Sequence, residues 1–312
     1  MRYKMTYIFL GLFLFFSIPY LITVFMAPRD QEREVDFSTY DSGYQIETED
    51  GKFIDLESYL WMILPEQISL DYEEEALKAQ AVILRTDMIR RMGNSKKIKE
   101  EKIPYERITD KKLKEVLGSK KYSLKDQVRK RAVSDTLGKV ILYQNMYIEP
   151  FFHGLSVGTT LSGEEWFGEG YPYLQEKDSL EDTESTDYMS VTVLTYGKIL
   201  DKIKESYETD LTTDQLKSNL SVSQATKNGY VKKVKAGDFE ISGTTWAQWF
   251  SLASNNFYLE PYDGKMRIVC LGQGNGLGMS QYGAHKLAEK GEDYQQILKY
   301  YYTGVKIKNI NE

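Results

Sequence analysis

Cysteine is almost absent from this chain: Cys270 is the single copy among 312 residues. One thiol forms no internal disulfide and builds no thiolate metal cluster. Its setting, Ile268-Val269-Cys270-Leu271, reads as a core thiol. Histidine is nearly as scarce, with only His153 and His285, too few for a His-rich metal site. A basic tract is missing as well. The net charge is −6, from 40 Lys and Arg against 46 Asp and Glu. That argues against nucleic acid as a partner, because neutralising phosphates takes clustered cations.

Charge is missing altogether from Met5 to Ala27, a segment dense in Phe, Leu and Ile. About 20 apolar residues in a helix cross a hydrocarbon core. Arg2 and Lys4 precede the segment, and no net positive excess follows it. The positive-inside rule then leaves the N-terminus in the cytoplasm and the rest outside. A cleaved signal peptide is the rival reading. The stretch is long for that, and no A-x-A site follows, so a single-pass membrane anchor is expected.

What is plentiful is tyrosine, with 24 copies, more than Phe and Trp together. Tyrosine joins an apolar face to a hydrogen-bonding tip, which suits polar ligands such as sugars as well as ordinary surfaces and cores. Residues 1–30 read as cytoplasmic tip and anchor, 31–52 as a polar, acidic linker, and 53–312 as the folded domain.

Within that domain Leu56, Tyr59, Leu60 and Ile63 recur at helical spacing, and Pro65 is expected to stop the helix at Leu64. Glu66 would then sit at a break before a second helix. That helix opens on Asp71, Glu73, Glu74 and Glu75 and carries an apolar stripe of Leu77, Ala81, Leu84 and Met88. It closes on Arg90, Arg91 and Gly93. Residues 94–130 read as a charged excursion with one short amphipathic helix. Beyond Val133 come short strand-like runs, including a hairpin signal at Asn228-Gly229. Helical runs begin near Lys198 and Trp246, after Ser280, and at Tyr294. The expected class is α+β: mixed helices and short antiparallel strands around a substrate groove, preceded by one transmembrane helix.

The glycines at 272, 274, 276 and 278 fit neither the Rossmann nor the P-loop spacing. They mark close backbone approach or positive φ, as a tight structural turn or as one wall of a ligand groove. A lone glutamate is ordinarily a solvated surface group. Glu66 stands out because a proline fixes its direction and because Leu64, Pro65 and Ile68 flank it, which would desolvate the carboxyl.

The longer pattern carries a resemblance. It includes Leu56 to Leu60, Leu64-Pro65-Glu66, Glu75 to Val82 and Arg85-Thr86, then Phe151-Phe152-His153, Trp166 and Pro172-Tyr173-Leu174. Ile241-Ser242-Gly243 follows, and finally Gly276 to Ala284. Together these blocks resemble the sporulation stage II protein D / amidase-enhancer family, in its order, over about Phe53 to Ile307. The resemblance implies a peptidoglycan lytic transglycosylase that cleaves the MurNAc-GlcNAc β-1,4 bond and leaves 1,6-anhydro ends. Glu66 matches the family's catalytic glutamate, acting as general acid and then base. A second carboxylate, usual in glycosidases, is less needed when the substrate's own 6-hydroxyl attacks. Lys78, Gln80, Arg85, Ser280, Gln281 and Tyr282 become candidates to hold the sugar, with His153 and Asn275 lining the groove. Arg85 and Gln281 head that group.

The chain departs from the family's pattern at three points. Asn275 stands where the family often has His, and Ala247 where it often has Arg. The cysteines that accompany zinc in some members are missing near the second block, so no metal and no cofactor are expected. The partners implied are glycan strands, a cell-wall amidase and other membrane-anchored wall-remodelling proteins. A preference for peptide-stripped glycan is also implied. The alternative is a scaffold that keeps the fold, grips glycan and activates an amidase without cutting.

Overall fold

The computed structural model describes Asp36 to Ile310 except Ser38. Met5 to Ala27 lies outside the described residues. Among those that are described, no helix is long and apolar enough to cross a membrane. The compact unit that carries the site begins at Tyr40.

Its first strand is β1 (Gln45–Glu47), paired antiparallel with β2 (Phe53–Asp55). Strand β1 lies inside the stretch expected to be linker, so the folded part starts before Phe53. It was inconspicuous because a three-residue strand shows only one apolar residue, Ile46, which is fully buried.

Asp55 then caps α1 (Leu56–Gln67), its side chain accepting the Glu57 N–H at 2.9 Å. Pro65 does not end this helix, contrary to the sequence expectation. In the last turn a proline forfeits one backbone bond only, and the Ile68 N–H still closes on the Leu64 carbonyl at 3.2 Å. Burial of Leu56, Tyr59, Leu60, Ile63 and Leu64 holds the helix against the core through that turn. Glu66 therefore belongs to the final turn of α1.

Helix α2 (Glu74–Met92) has the expected acidic start, basic last turn and glycine stop. It is buried on nearly every side, packed between α1 and later elements. Strand β3 (Lys97–Lys99) joins the first sheet in the order β2-β1-β3. The charged excursion holds two helices where one was expected, α3 (Asp110–Leu117) and α4 (Ser119–Ser134), separated by Gly118 at φ 74°.

Next come β4 (Lys139–Tyr143), β5 (Met146–Tyr147), β6 (Phe152–His153), α5 (Gly163–Phe167) and β7 (Met189–Leu194). A second core follows. It is built from α6 (Tyr196–Ser206), α7 (Thr213–Ser218), β8 (Leu220–Ala225), β9 (Val231–Ala236), β10 (Phe239–Ser242) and α8 (Gly243–Trp249). Strands β11 (Phe257–Tyr262) and β12 (Lys265–Leu271) complete it, in sheets of order β10-β9-β8 and β11-β12-β7. Trp246, Ile268 and Cys270 are central to this core, and burial raises the Cys270 thiol above its ordinary pKa. Asn228-Gly229 is a turn that joins the antiparallel strands β8 and β9, as the hairpin signal led one to expect.

The chain ends with β13 (Met279–Ser280), α9 (Gln281–Glu289), α10 (Tyr294–Tyr301) and β14 (Lys306–Asn309). Strand β14 returns to pair with β4 in the order β14-β4-β5. The architecture is α+β, helices among several small sheets.

Candidate active site

The glycine loop ties distant blocks of the chain together. Gln273 exchanges backbone hydrogen bonds with Leu155, donating at 2.8 Å and accepting at 3.2 Å. The Leu161 N–H donates to the Gly276 carbonyl, and the Asn255 N–H to the Gly274 carbonyl. Strand β13 then runs parallel to β6, with Met279 beside Phe152 and Ser280 beside His153. Gly278, at φ 69°, passes so close to β6 that a Cβ would lie 1.8 Å from the Phe151 carbonyl oxygen. At Gly276 a Cβ would strike the Tyr230 ring at 2.2 Å. Both readings of the glycines in the sequence, positive φ and close approach, hold at these two positions.

Ser280 caps α9. Its hydroxyl accepts the Gly283 N–H at 3.1 Å and donates to Asp182 Oδ1 at 2.9 Å. The other Asp182 oxygen accepts the Ser156 N–H at 2.7 Å. Ser280 and Asp182 are both fully buried, so this is an internal clamp. Asp182 escaped the sequence analysis because nothing around Ser179 to Glu184 marks one acid among several.

Gln281 opens α9 and reaches back to the end of α1. Its Nε2 donates to the Gln67 carbonyl at 2.5 Å and to Gln80 Oε1 at 3.1 Å. The residue next to Gln67 is Glu66. The Glu66 side chain is exposed, and among the described residues it has no hydrogen-bond or ion-pair partner. Leu64 and Ile68 turn into the core, so they do not cover the carboxyl as their sequence position suggested. The result is an uncommitted carboxylate on a helix end that α9 braces.

Arg85 has a different place from the one expected. It is fully buried, and its Nε and Nη2 donate to the two Glu57 oxygens at 2.7 Å each. The guanidinium also donates to the Lys139 carbonyl at 3.1 Å. It locks α1, α2 and the start of β4 together and presents no face to a ligand. Lys78 is likewise engaged, by Glu75 at 2.9 Å and Asp135 at 2.8 Å. Glu57 is the buried partner that the sequence did not single out.

His153 is buried, and its Nδ1–H donates to the Leu277 carbonyl at 2.9 Å, which leaves Nε2 as a lone pair without a partner among the described residues. Burial holds its pKa below the usual imidazole value. Asn275 Oδ1 accepts the Leu277 N–H at 3.0 Å, fixing the glycine loop locally. Tyr282 meets Tyr72 and His285 edge-on, while Tyr72 and His285 stack at 4.8 Å. Among the described residues, Glu73, His285 and Glu289 form the one group with metal-ligand spacing. Both His285 nitrogens there are engaged: Nδ1 accepts the Glu73 N–H at 3.1 Å and Nε2 faces Glu289 at 3.3 Å.

The fold brings Gln80 and Gln281 to the helix end that carries Glu66 and sets Ser280 beside His153, and it leaves Lys78, Arg85 and Ser280 in structural roles. Such a domain is a single α+β unit organised around the end of one helix and a glycine loop. Residues 45–143 match the SpoIID model, stage II sporulation protein. The chain is 30% identical to stage II sporulation protein D of Bacillus amyloliquefaciens, covering 81% of this chain and 74% of that one. Identity to stage II sporulation protein D of Bacillus subtilis (strain 168) is 27%, over 85% and 77% of the two chains. Identity to the amidase enhancer of Bacillus subtilis (strain 168) is 26%, over 78% of this chain and 39% of that one. The chain belongs to the SpoIID family.

Proposed function

We propose that the protein cuts the glycan strands of peptidoglycan as a lytic transglycosylase, with Glu66 as its acid/base. Family membership supports a cell-wall role, and the state of Glu66 carries the finer reading. Its carboxyl is exposed, has no partner among the described residues, and sits on a helix end that Gln281 braces. A carboxylate needed for structure would be engaged, as those of Glu57 and Asp182 are.

In this reading the Glu66 carboxyl protonates the leaving GlcNAc O4 as the muramoyl C1–O4 bond breaks. The carboxylate then takes the proton of the muramoyl 6-hydroxyl while O6 bonds to C1, which closes the anhydro ring and restores the acid. No water is consumed and no metal is required. Gln281 and Tyr282, at the start of α9, are the groups proposed to position the sugar, with the fully buried Gln80 holding Gln281 in place. The protein acts outside the membrane, held by Met5 to Ala27, on strands that an amidase has stripped of peptides.

A second reading, a non-cutting activator of an amidase, draws on the amidase-enhancer relative and on Asn275, which cannot titrate near neutral pH. Incubating purified glycan strands with wild type and Glu66→Gln separates the two. The first reading expects strand cleavage that falls by about 10²–10⁴-fold in the variant. Cleavage by neither supports the second, while equal cleavage by both would remove Glu66 from the mechanism.

A further inference from the structure

At the far end of α2 lies a cavity of about 480 Å³, within the roughly 300–1,000 Å³ usual for small-ligand sites. Tyr143, Tyr147, Tyr171 and Tyr173 line it, with Arg90 and Glu149. Arg90 follows Gln80 by ten residues on the same helix, which at 1.5 Å per residue puts the cavity about 15 Å along α2 from the Gln281 contact. It is separate from the Glu66 site.

The lining is fixed in place. Tyr171 OH donates to Glu149 Oε2 at 3.0 Å, and the Glu149 N–H donates to Tyr173 OH at 3.1 Å. The rings of Tyr143 and Tyr173 meet at 5.7 Å, and those of Tyr171 and Tyr173 at 6.1 Å. The β4–β5 turn places Gln144 and Asn145 at φ 49° and 64°. This two-residue turn with both φ positive brings Tyr143 and Tyr147 to the same mouth. A glutamine held in that region costs energy that a looser turn would avoid.

The polar groups have unused capacity. Arg90 Nη2 is shared between Asp87 at 2.9 Å and Glu149 at 3.4 Å, while its Nε is buried and has no partner among the described residues. Glu149 spends one oxygen on Tyr171 and turns the other towards Arg90. Asp87 also pairs with Arg91 at 2.6 Å. The two arginines and two acids cancel, so the cavity has no net attraction for an anion or a cation.

We infer that this cavity is a second saccharide site, which holds a neutral β-1,4-linked N-acetylhexosamine unit away from the Glu66 site. Tyrosine rings give the flat apolar surface that a pyranose face covers. Glu149 accepts sugar hydroxyls, and the part-exposed Arg90 guanidinium donates to a ring substituent or acetamido oxygen. An anionic stem peptide would meet Glu149 and gain less. The inference rests on the glycan reading above, since a polymeric substrate has units left over to fill a distant site.

The test titrates the β-1,4-linked disaccharide of N-acetylglucosamine into full-length Glu66→Gln protein in detergent, by calorimetry. Arg90→Gln and Tyr147→Ala are then added singly. Each should weaken binding at this site by at least about tenfold, the effect of losing one charge-assisted hydrogen bond or one ring face. Tyr147→Phe keeps the ring and should bind like the parent. Unaltered melting temperatures would show that the variants are folded. Unchanged affinity and stoichiometry in both loss variants would overturn the inference, even if Glu66 proved to cut glycan. Binding lost in these variants would sustain it, even in a protein that cuts nothing. Absence of disaccharide binding in every version would also overturn it.

Discussion

Glu57 and Glu66 lie nine positions apart on one helix and have opposite fates. Glu57 is enclosed with Arg85 in a bidentate pair. Glu66 faces solvent. Removing one partner from a buried pair leaves a charge uncompensated, at a cost of about 3–5 kcal/mol. Glu57→Ala should therefore lower unfolding free energy by that order in a denaturant titration. Glu66→Gln should move it by less than about 0.5 kcal/mol, as an exposed change does. A large loss from Glu66→Gln would give the carboxylate a structural role. This contrast was not legible in sequence. Arg85 stood out as a candidate to hold the sugar, but which of several acids would reach it depends on how α1 crosses α2. His153 supplies a pH test. Burial lowers its pKa from 6.5, so below that pH the unfolded chain binds a proton that the folded chain resists. Stability from this group is intact above about pH 6.5 and is lost as pH falls through the window beneath it. Wild type should lose more stability than His153→Gln between about pH 7.5 and about pH 5.5. Parallel losses would contradict the assignment.

The helices were the legible elements, and the reason is length. Helix α2 announces itself through acidic start, apolar stripe, basic end and terminal glycine, four signals over 19 residues. Strands such as β1, β3 and β13 span three residues or fewer, too short for alternation to register. Strands β8 and β11 were missed because Ser, Gln, Pro and Glu interrupt their apolar residues. Pro65 misled in the opposite direction, since a helix-ending rule ignores what the core gains by keeping the last turn. The glycine loop was read correctly as a close approach, although nothing in the sequence says that β6 is the strand it approaches. That approach is testable. Gly278→Ala places a methyl group on the Phe151 carbonyl and should sharply reduce soluble, folded protein. Gly291→Ala, where a Cβ meets nothing within 4 Å, should cost only the φ penalty of about 1 kcal/mol. Comparable melting temperatures for the two would mean that the loop can shift off β6.

At the scale of the whole molecule, the site exists only because the chain returns. Gln281 arrives 214 residues after Gln67 to hold it, and no local pattern could reveal that. Sequence blocks gave the participants, and the fold decided which of them meet. Met5 to Ala27 should remain in the mature protein, so that N-terminal sequencing of membrane-extracted material begins before Pro28. A soluble protein starting near Pro28 would replace the anchor with a signal peptide. Activity should survive chelation, because one cysteine and two histidines are too few for the tetrahedral zinc set that some members carry. Loss of activity on chelation, restored by zinc, would contradict that. The central claim is that Glu66 transfers a proton within the glycan and admits no water. Mass spectrometry of strands digested by wild type tests it most directly. Anhydro ends, each one water lighter than a hydrolysed end and missing from the Glu66→Gln digest, are the predicted result. Reducing ends, or anhydro ends that persist undiminished with Glu66→Gln, would contradict it.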